Sequence, residues 1–307
     1  MKPKQTQGKG LHPDNAHRDG YDFTALVASF PPLKAFVRPN AYGNPSIDFA
    51  LPEAVKALNC ALLKHYYGIQ GWDIPKGFLC PPIPGRVDYL HHLEDLLAQT
   101  PAAEGLPVLD IGTGANGIYA LLAVSRFGRE LVATDIAKAS LANVARVLSA
   151  NPPLNARVSL RHQTNPKRIF AGVVTDEERF AACVCNPPFH ASADDAAAGS
   201  RKKLDGLAKS RSKAASKSSA SKAPALNFGG QDAELWCDGG ERRFLFNMIE
   251  ESARRPQLCL WFTSLVSKGE NVRPCKRLLA KLGAAEVKVI EMHQGMKITR
   301  VLAWRFD

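Results

Sequence analysis

LDIGTGANG, residues Leu109 to Gly117, sets three glycines directly after a short apolar run, and its reading decides the fold. Gly112, Gly114 and Gly117 satisfy the spacing GxGxxG, and Asp135 closes the next apolar run, ELVATD, about 20 residues on. Glycines at such a turn let the backbone pass close to a ligand, and a carboxylate ending the second strand can accept hydrogen bonds from two ribose hydroxyls. That geometry suits NAD, FAD and S-adenosylmethionine alike. Asp110, just before the glycines, separates them: it would repel a pyrophosphate, whereas S-adenosylmethionine carries no phosphate and is cationic at sulfur.

Working outward, PVLDIG, ELVATD, RVSLRH, AACVCN and QLCLWFTSLV are short, apolar and β-compatible, as buried strands are. Helical stretches at Ile118 to Arg126, Ala137 to Leu148 and Arg242 to Arg254 fall between several of them. A further helix at Val272 to Leu282 precedes a closing pair of strands, EVKVIEMHQG and TRVLAWRF. Short buried strands with helical crossovers predict an α/β fold with a doubly wound, mainly parallel sheet of seven strands. Upstream lie three helical patterns. One, from Phe23 to Val37, is broken by Pro31 and Pro32; one runs from Pro52 to Tyr67 with Gly68 after its end; the third carries Leu90, Leu93, Leu96 and Leu97 on one side.

The second diagnostic stretch is CNPPFH, Cys185 to His190, where Asn186 falls at the end of a buried strand. Open α/β sheets keep their chemistry at such strand ends. An exocyclic amine or an amide nitrogen is a poor nucleophile because its lone pair is delocalised, so its geometry must be held during attack. The Asn186 side-chain oxygen and the Pro187 carbonyl can accept its two N–H bonds. Pro187 and Pro188 fix the backbone, and Phe189 can stack on a planar group. Taken alone, NPPF also reads as a strand-ending turn; placed after a DxGxG loop it predicts methyl transfer to such a nitrogen. The chemistry requires no general base and no metal.

The 307 residues are 45% hydrophobic, enough for a substantial core. No apolar run reaches the roughly 20 residues of a membrane helix and the N-terminus has no apolar signal region, so the expected location is the cytoplasm. Seven cysteines without a CxxC pair read as core filler in a reducing compartment. The net charge is +11, but from Ser200 to Ala223 eight Lys or Arg stand against Asp205 alone, so this stretch carries +7 and the rest +4. It reads either as a solvated linker or as a nucleic-acid arm contacting phosphates through Arg201, Lys202, Lys203, Lys209, Arg211 and Lys213.

With these residues assembled, the chain resembles the ribosomal RNA adenine-N6 methyltransferase F family, related to the eukaryotic METTL-type U6 small nuclear RNA methyltransferases. The match runs through LHPDNAHRDGYDF, SIDFALPEAVKALNCALL, WDIPKGFLCPPIPGRVDYLHHLEDLL, LDIGTGANGIY and CNPPFH to ALNFGGQDAELWCDGGE, LWFTSLVSKGEN and HQGMKITRVLAWRF, nearly the whole chain. It implies a class I, Rossmann-like, S-adenosylmethionine-dependent methyltransferase acting on one adenine, adenine 1618, of 23S ribosomal RNA or of a large-subunit assembly intermediate, as a monomer. By the same resemblance Gly112, Thr113 and Gly114 would line the methionine moiety and Asp135 would hold the ribose. Arg86 would pair with the methionine carboxylate, and Gln163 or Asn165 would approach the cofactor adenine. The expected organisation is a basic flexible lead over 1–20, punctuated by Gly8, Gly10, Pro13 and Gly20, then a helical RNA-binding module over 21–100 and a methyltransferase domain over 101–307, with a basic insert at 192–226. The rivals are a glutamine-N5 methyltransferase acting on protein, which uses a nearly identical motif, and a non-catalytic RNA-binding module.

Overall fold

The structure is a computed structural model that describes residues 10–188, 237–294 and 297–307. The strands expected around the glycine loop are all present. β3 (Val108–Ile111), β4 (Leu131–Asp135), β5 (Val158–His162), β6 (Phe180–Cys185), β7 (Cys259–Val266), β8 (Glu286–Gln294) and β9 (Lys297–Arg305) make one sheet of seven strands. Its order is β5-β4-β3-β6-β7-β9-β8, parallel from β5 through β7 and antiparallel where β9 joins β7 and β8. The strand order therefore reverses beside β3, and the crevice at that switch point opens where the carboxyl ends of β3, β4 and β6 meet. A small hairpin of β1 (Arg38–Pro39) and β2 (Pro45–Ser46) stands apart from the sheet.

Alternating side chains give the sheet two apolar faces. Val108, Ala182, Val184, Val301 and Ala303 face one core, shared with α2 (Pro52–Tyr67), α3 (Ile83–Ala98), α4 (Ile118–Phe127) and α5 (Lys138–Ser149). Leu109, Ile111, Cys183, Cys185, Leu302 and Trp304 face the other, against helices at Gly240–Arg254 and Val272–Lys281. The seven strands of the sheet and most helices match the sequence expectation to within a few residues; that expectation lacks the β1–β2 hairpin. The third helix starts earlier than its leucines suggest, at Ile83, because Pro82 and Pro84 occupy its N-cap and first turn, where a missing N–H costs nothing. The proline-broken segment becomes α1 (Phe23–Ser29), capped by Asp22 Oδ1 on the N–H groups of Thr24 and Ala25, followed by a 3₁₀ turn over Pro31–Phe36.

Two expectations about the N-terminal region change. The helices of residues 21–100 do not build a core of their own: Leu58, Leu62, Val87, Leu90 and Leu93 pack into the same cluster as the strands and α4. The lead, expected to be flexible over 1–20, is anchored from His12 onward. The His12 backbone N–H and the Asn15 amide both donate to Asp88 Oδ1, at 2.7 and 2.8 Å, and His12 Nε2 lies 3.1 Å from Asp95 Oδ2. Asn15 and His17 are buried. Glycine and proline punctuation in a basic stretch suggested disorder, whereas α3 supplies carboxylate acceptors that hold the segment down.

Candidate active site

The glycine loop leaves β3 with Gly112 at φ 71°, a left-handed conformation that disfavours any side chain, and a Cβ there would meet nothing within 4 Å. Gly112 therefore provides both the turn and open space beside it. Gly117, the residue before α4, has a different reason: its φ is 57° and a Cβ would come within 3.0 Å of both Val144 methyl groups on α5. The N-terminal region closes over this loop. Trp72 Nε1 donates to the Asn116 carbonyl at 2.9 Å, and the Asn143 amide bridges the carbonyls of Ala115 and Asp73.

A cavity of about 720 Å³ opens at this crevice. It is lined by Gly112, Thr113, Gly114, Asp135, Gln163, Asn186 and Pro188, with Arg86 from α3. Asp135 accepts the Gly114 N–H at 2.8 Å and the Ala137 N–H at 2.7 Å, one on each oxygen. Burial raises its carboxyl, and those two backbone donors oppose the rise. Arg86 is buried and donates from Nη1 to the Tyr119 hydroxyl at 2.9 Å. Asp110 lies fully buried just behind the loop, and among the described residues neither of its oxygens makes a hydrogen bond of normal geometry. Burial pushes its carboxyl up to about 7; the Asp135 charge adds to this, while the Thr113 hydroxyl and the Arg86 guanidinium pull the other way.

Among the described residues, three further buried polar atoms that line or face the cavity make no hydrogen bond of normal geometry: Thr113 Oγ1, Ser140 Oγ and Asn186 Oδ1. Buried polar groups are rarely left so, and a set converging on one cavity fits a polar ligand. S-Adenosylmethionine matches in charge and in hydrogen-bonding groups. Its cationic centre and ammonium would suit the region of Asp110, its carboxylate would suit Arg86, and its ribose diol would suit the acceptor capacity left on Asp135. Ile136, 41% exposed on the cavity wall, offers an apolar face beside Asp135.

Other expectations divide. Gln163 lines the cavity, but its amide is already used within its own loop: Oε1 accepts the Asn165 N–H and Nε2 donates to the Ala171 carbonyl. Asn165 is exposed, accepts the Lys167 N–H and does not line the cavity, so the structure does not bring it to the cofactor wall. Phe189 and the cations Arg201, Lys202, Lys203, Lys209, Arg211 and Lys213 lie outside the described residues. Pro187 is buried beside Asn186.

Sequence reasoning missed Glu251 and Glu241. Glu251 receives the backbone N–H groups of Ile169, Phe170 and Ala171, fixing the far wall of the cavity. Glu241, 1% exposed, accepts from Ser267, Lys268 and Asn271 and so holds the loop after β7. Both lie on an amphipathic helix, where a carboxylate reads as surface. Their only sequence signal is position: each falls on the side of that helix that also carries buried apolar residues such as Leu245 and Met248.

The family model described as RNA methyltransferase matches residues 5–307. The ribosomal RNA large subunit methyltransferase F of Shewanella amazonensis is 74% identical over 306 residues, covering 99% of this chain and 96% of that protein. Its counterpart in Shewanella denitrificans is 58% identical, covering 97% and 83%. Among solved structures, the human METTL16 catalytic domain in complex with MAT2A 3′UTR hairpin 1 is 28% identical, with a TM-score of 0.79 over 97% of this chain and 96% of that one. The N-terminal domain of human METTL16 in complex with SAH is 26% identical, with a TM-score of 0.74 over 97% and 99%. The seven-stranded sheet, the cavity at its switch point and a match running almost from end to end agree: S-adenosylmethionine is the methyl donor, and the chain belongs to the RNA methyltransferase family.

Proposed function

We propose that this chain methylates N6 of one adenine in 23S ribosomal RNA, adenine 1618 by its resemblance, in the cytoplasm where that RNA is assembled. The observation that carries the reading is Asn186 Oδ1, a buried acceptor without a partner among the described residues, on the rim of the cofactor cavity. The register of the sheet supports it: Asp110 lies beside Val184 and Ile111 beside Cys185, so the glycine loop and the Asn186 turn leave adjacent strands at the same level.

S-Adenosylmethionine supplies an electrophilic methyl group on a sulfonium sulfur. The chain's own residues present the amine. Asn186 Oδ1 accepts one N6–H and the Pro187 carbonyl the other, which turns the lone pair towards the methyl group. As positive charge develops on N6, both dipoles bind it more strongly, an electrostatic contribution made larger by burial. The methylated nitrogen is then acidic enough to lose its second proton to water. Phe189 would stack on the extruded base, and the cations at 201–213 and in the N-terminal lead would hold phosphates.

The test is methyl transfer from labelled S-adenosylmethionine to 23S RNA lacking the modification, with release-factor protein in parallel and nucleosides identified by mass spectrometry. N6-methyladenosine in the RNA supports the reading, and Asn186→Ala is expected to lower turnover on the order of 100- to 1000-fold with RNA affinity retained. Label in protein would sink it in favour of a glutamine substrate. Deleting 201–222 is expected to weaken RNA binding and flatten its salt dependence; an unchanged salt slope would return that stretch to a linker.

A further inference from the structure

The pairing of β6 with β7 stops before the Asn186 turn begins. Their register runs from Phe180↔Cys259 to Cys183↔Phe262 and goes no further, while on the other side β3 stays paired as far as Cys185. The last residues of β6 have therefore lost one neighbouring strand, at a depth where unpaired backbone groups are costly. Two side chains take over. Thr263 Oγ1 donates to the Cys183 carbonyl at 2.6 Å, so its single proton is committed. The Tyr89 hydroxyl, 2.6 Å from Thr263 Oγ1, must then be the donor in that pair, and it accepts the Cys185 N–H at 3.4 Å. The result is a directed chain of hydrogen bonds from Cys185 N–H through Tyr89 and Thr263 to the Cys183 carbonyl. Tyr89 and Thr263 are both fully buried.

The same tyrosine is tied to the cofactor wall. Its ring meets Tyr119 edge-on, with centroids 5.5 Å apart, and the Tyr119 hydroxyl receives Arg86 Nη1. One buried cluster thus spans the base of the Asn186 turn and the side of the cavity where the methionine carboxylate would lie.

We propose that Tyr89 and Thr263 are positioning residues for methyl transfer: their hydroxyls replace the missing strand pairing, keeping β6 and β7 apart at the crevice while fixing the direction of the Asn186 carboxamide. The proposal rests on the adenine-N6 reading above. It places the effect in turnover, because a carboxamide that wanders still leaves the cofactor and RNA surfaces intact. Misorientation by small angles is enough to slow a reaction that depends on alignment.

The experiment uses the full chain with Tyr89→Phe, Thr263→Val and Thr263→Ser. Tyr89→Phe and Thr263→Val are expected to lower kcat by about 10- to 100-fold, with KM for RNA and Kd for S-adenosylmethionine changed by no more than about twofold. Thr263→Ser, which keeps the hydroxyl, is expected to recover kcat to within about threefold of wild type, and Tyr89→Phe combined with Thr263→Val to be no slower than the worse single variant, as for groups acting as a unit. An undiminished kcat in Tyr89→Phe, or a Thr263→Ser variant as slow as Thr263→Val, would overturn the assignment. A wild type that leaves adenine unmethylated would count against the proposed function and not against the hydrogen-bond chain. That chain is then judged by amide exchange: Tyr89→Phe should speed exchange at Cys185 by about tenfold relative to Ile111, and equal protection would overturn it.

Discussion

Asp135 ends β4 with both oxygens accepting backbone N–H groups of the glycine loop and the next turn; Asp110, near the end of β3, sits deeper in the same crevice and receives no hydrogen bond of normal geometry from the described residues. Both stand near the carboxyl ends of adjacent parallel strands, yet one carboxylate is satisfied by backbone N–H groups and the other is not. The difference assigns the labour of binding. Asp135 shapes the loop by itself, and on the proposed reading its remaining lone pairs would go to the ligand. On the same reading the buried Asp110 carboxylate costs the free protein stability, a cost that a bound cation would offset.

The largest expected consequence is in pH. The Asp110 carboxyl is raised from 3.8 to about 7 in the folded chain, so the unfolded chain loses this proton first. Its contribution to stability therefore falls as pH rises from 3.8 to about 7, by about 4 kcal/mol at most, and is level above that. His17 and His91, held down to about 4 chiefly by burial, act with the opposite sign, destabilising the fold as pH falls below 6.5. The clean measurement is thus the difference in unfolding free energy between wild type and Asp110→Asn across this range. A difference independent of pH would break the contrast between the two carboxylates.

Asp135→Ala should come next, with a loss of about 3 kcal/mol in stability from two orphaned N–H donors, together with weaker cofactor binding. Denaturant unfolding checks the first and calorimetry the second; a stable variant with poor binding would make Asp135 a ligand contact alone. Asp110→Asn should do the reverse, raising the melting temperature of the free chain while lowering cofactor affinity on the order of 100-fold. If both fell together, Asp110 would be partnered in the free protein. The smallest effect is expected for Glu251→Gln, about 1 kcal/mol of stability and about threefold in cofactor affinity, because an amide oxygen can still accept from the wall at 169–171.

How much of this was legible in the sequence follows from what each feature depends on. Strands such as FAACVC are short apolar runs with no competing periodicity, and the glycine loop and Asn186 turn occupy contiguous residues, so both could be read from the order of residues alone. The start of α3 was hidden because prolines that break a helix interior are favoured in its first turn. The Tyr89–Thr263 pair was hidden by distance, 174 residues in sequence, with neither residue in a motif. Glu241 and Glu251 were hidden by type, since a carboxylate on an amphipathic helix is ordinarily solvated. His12 and Asn15 were hidden by composition, because their segment is rich in glycine and charge, and only the buried Asp88 of a distant helix explains their order.

The closure of the N-terminal helices onto the sheet has a bearing on how the chain is made. α2 and α3 leave the ribosome first, yet the surfaces they cover belong to strands synthesised later, and Thr263 follows Tyr89 by 174 residues. At synthesis rates of about 5–20 residues per second, Tyr89 exists for roughly 9–35 s before its partner. During that interval β3 to β6 can cover part of the apolar stripe of α3, while β7, β8 and β9 are still missing from the sheet. A chain truncated before Thr263 lacks the hydroxyl that holds the Cys183 carbonyl as well as the core residues of β8 and β9.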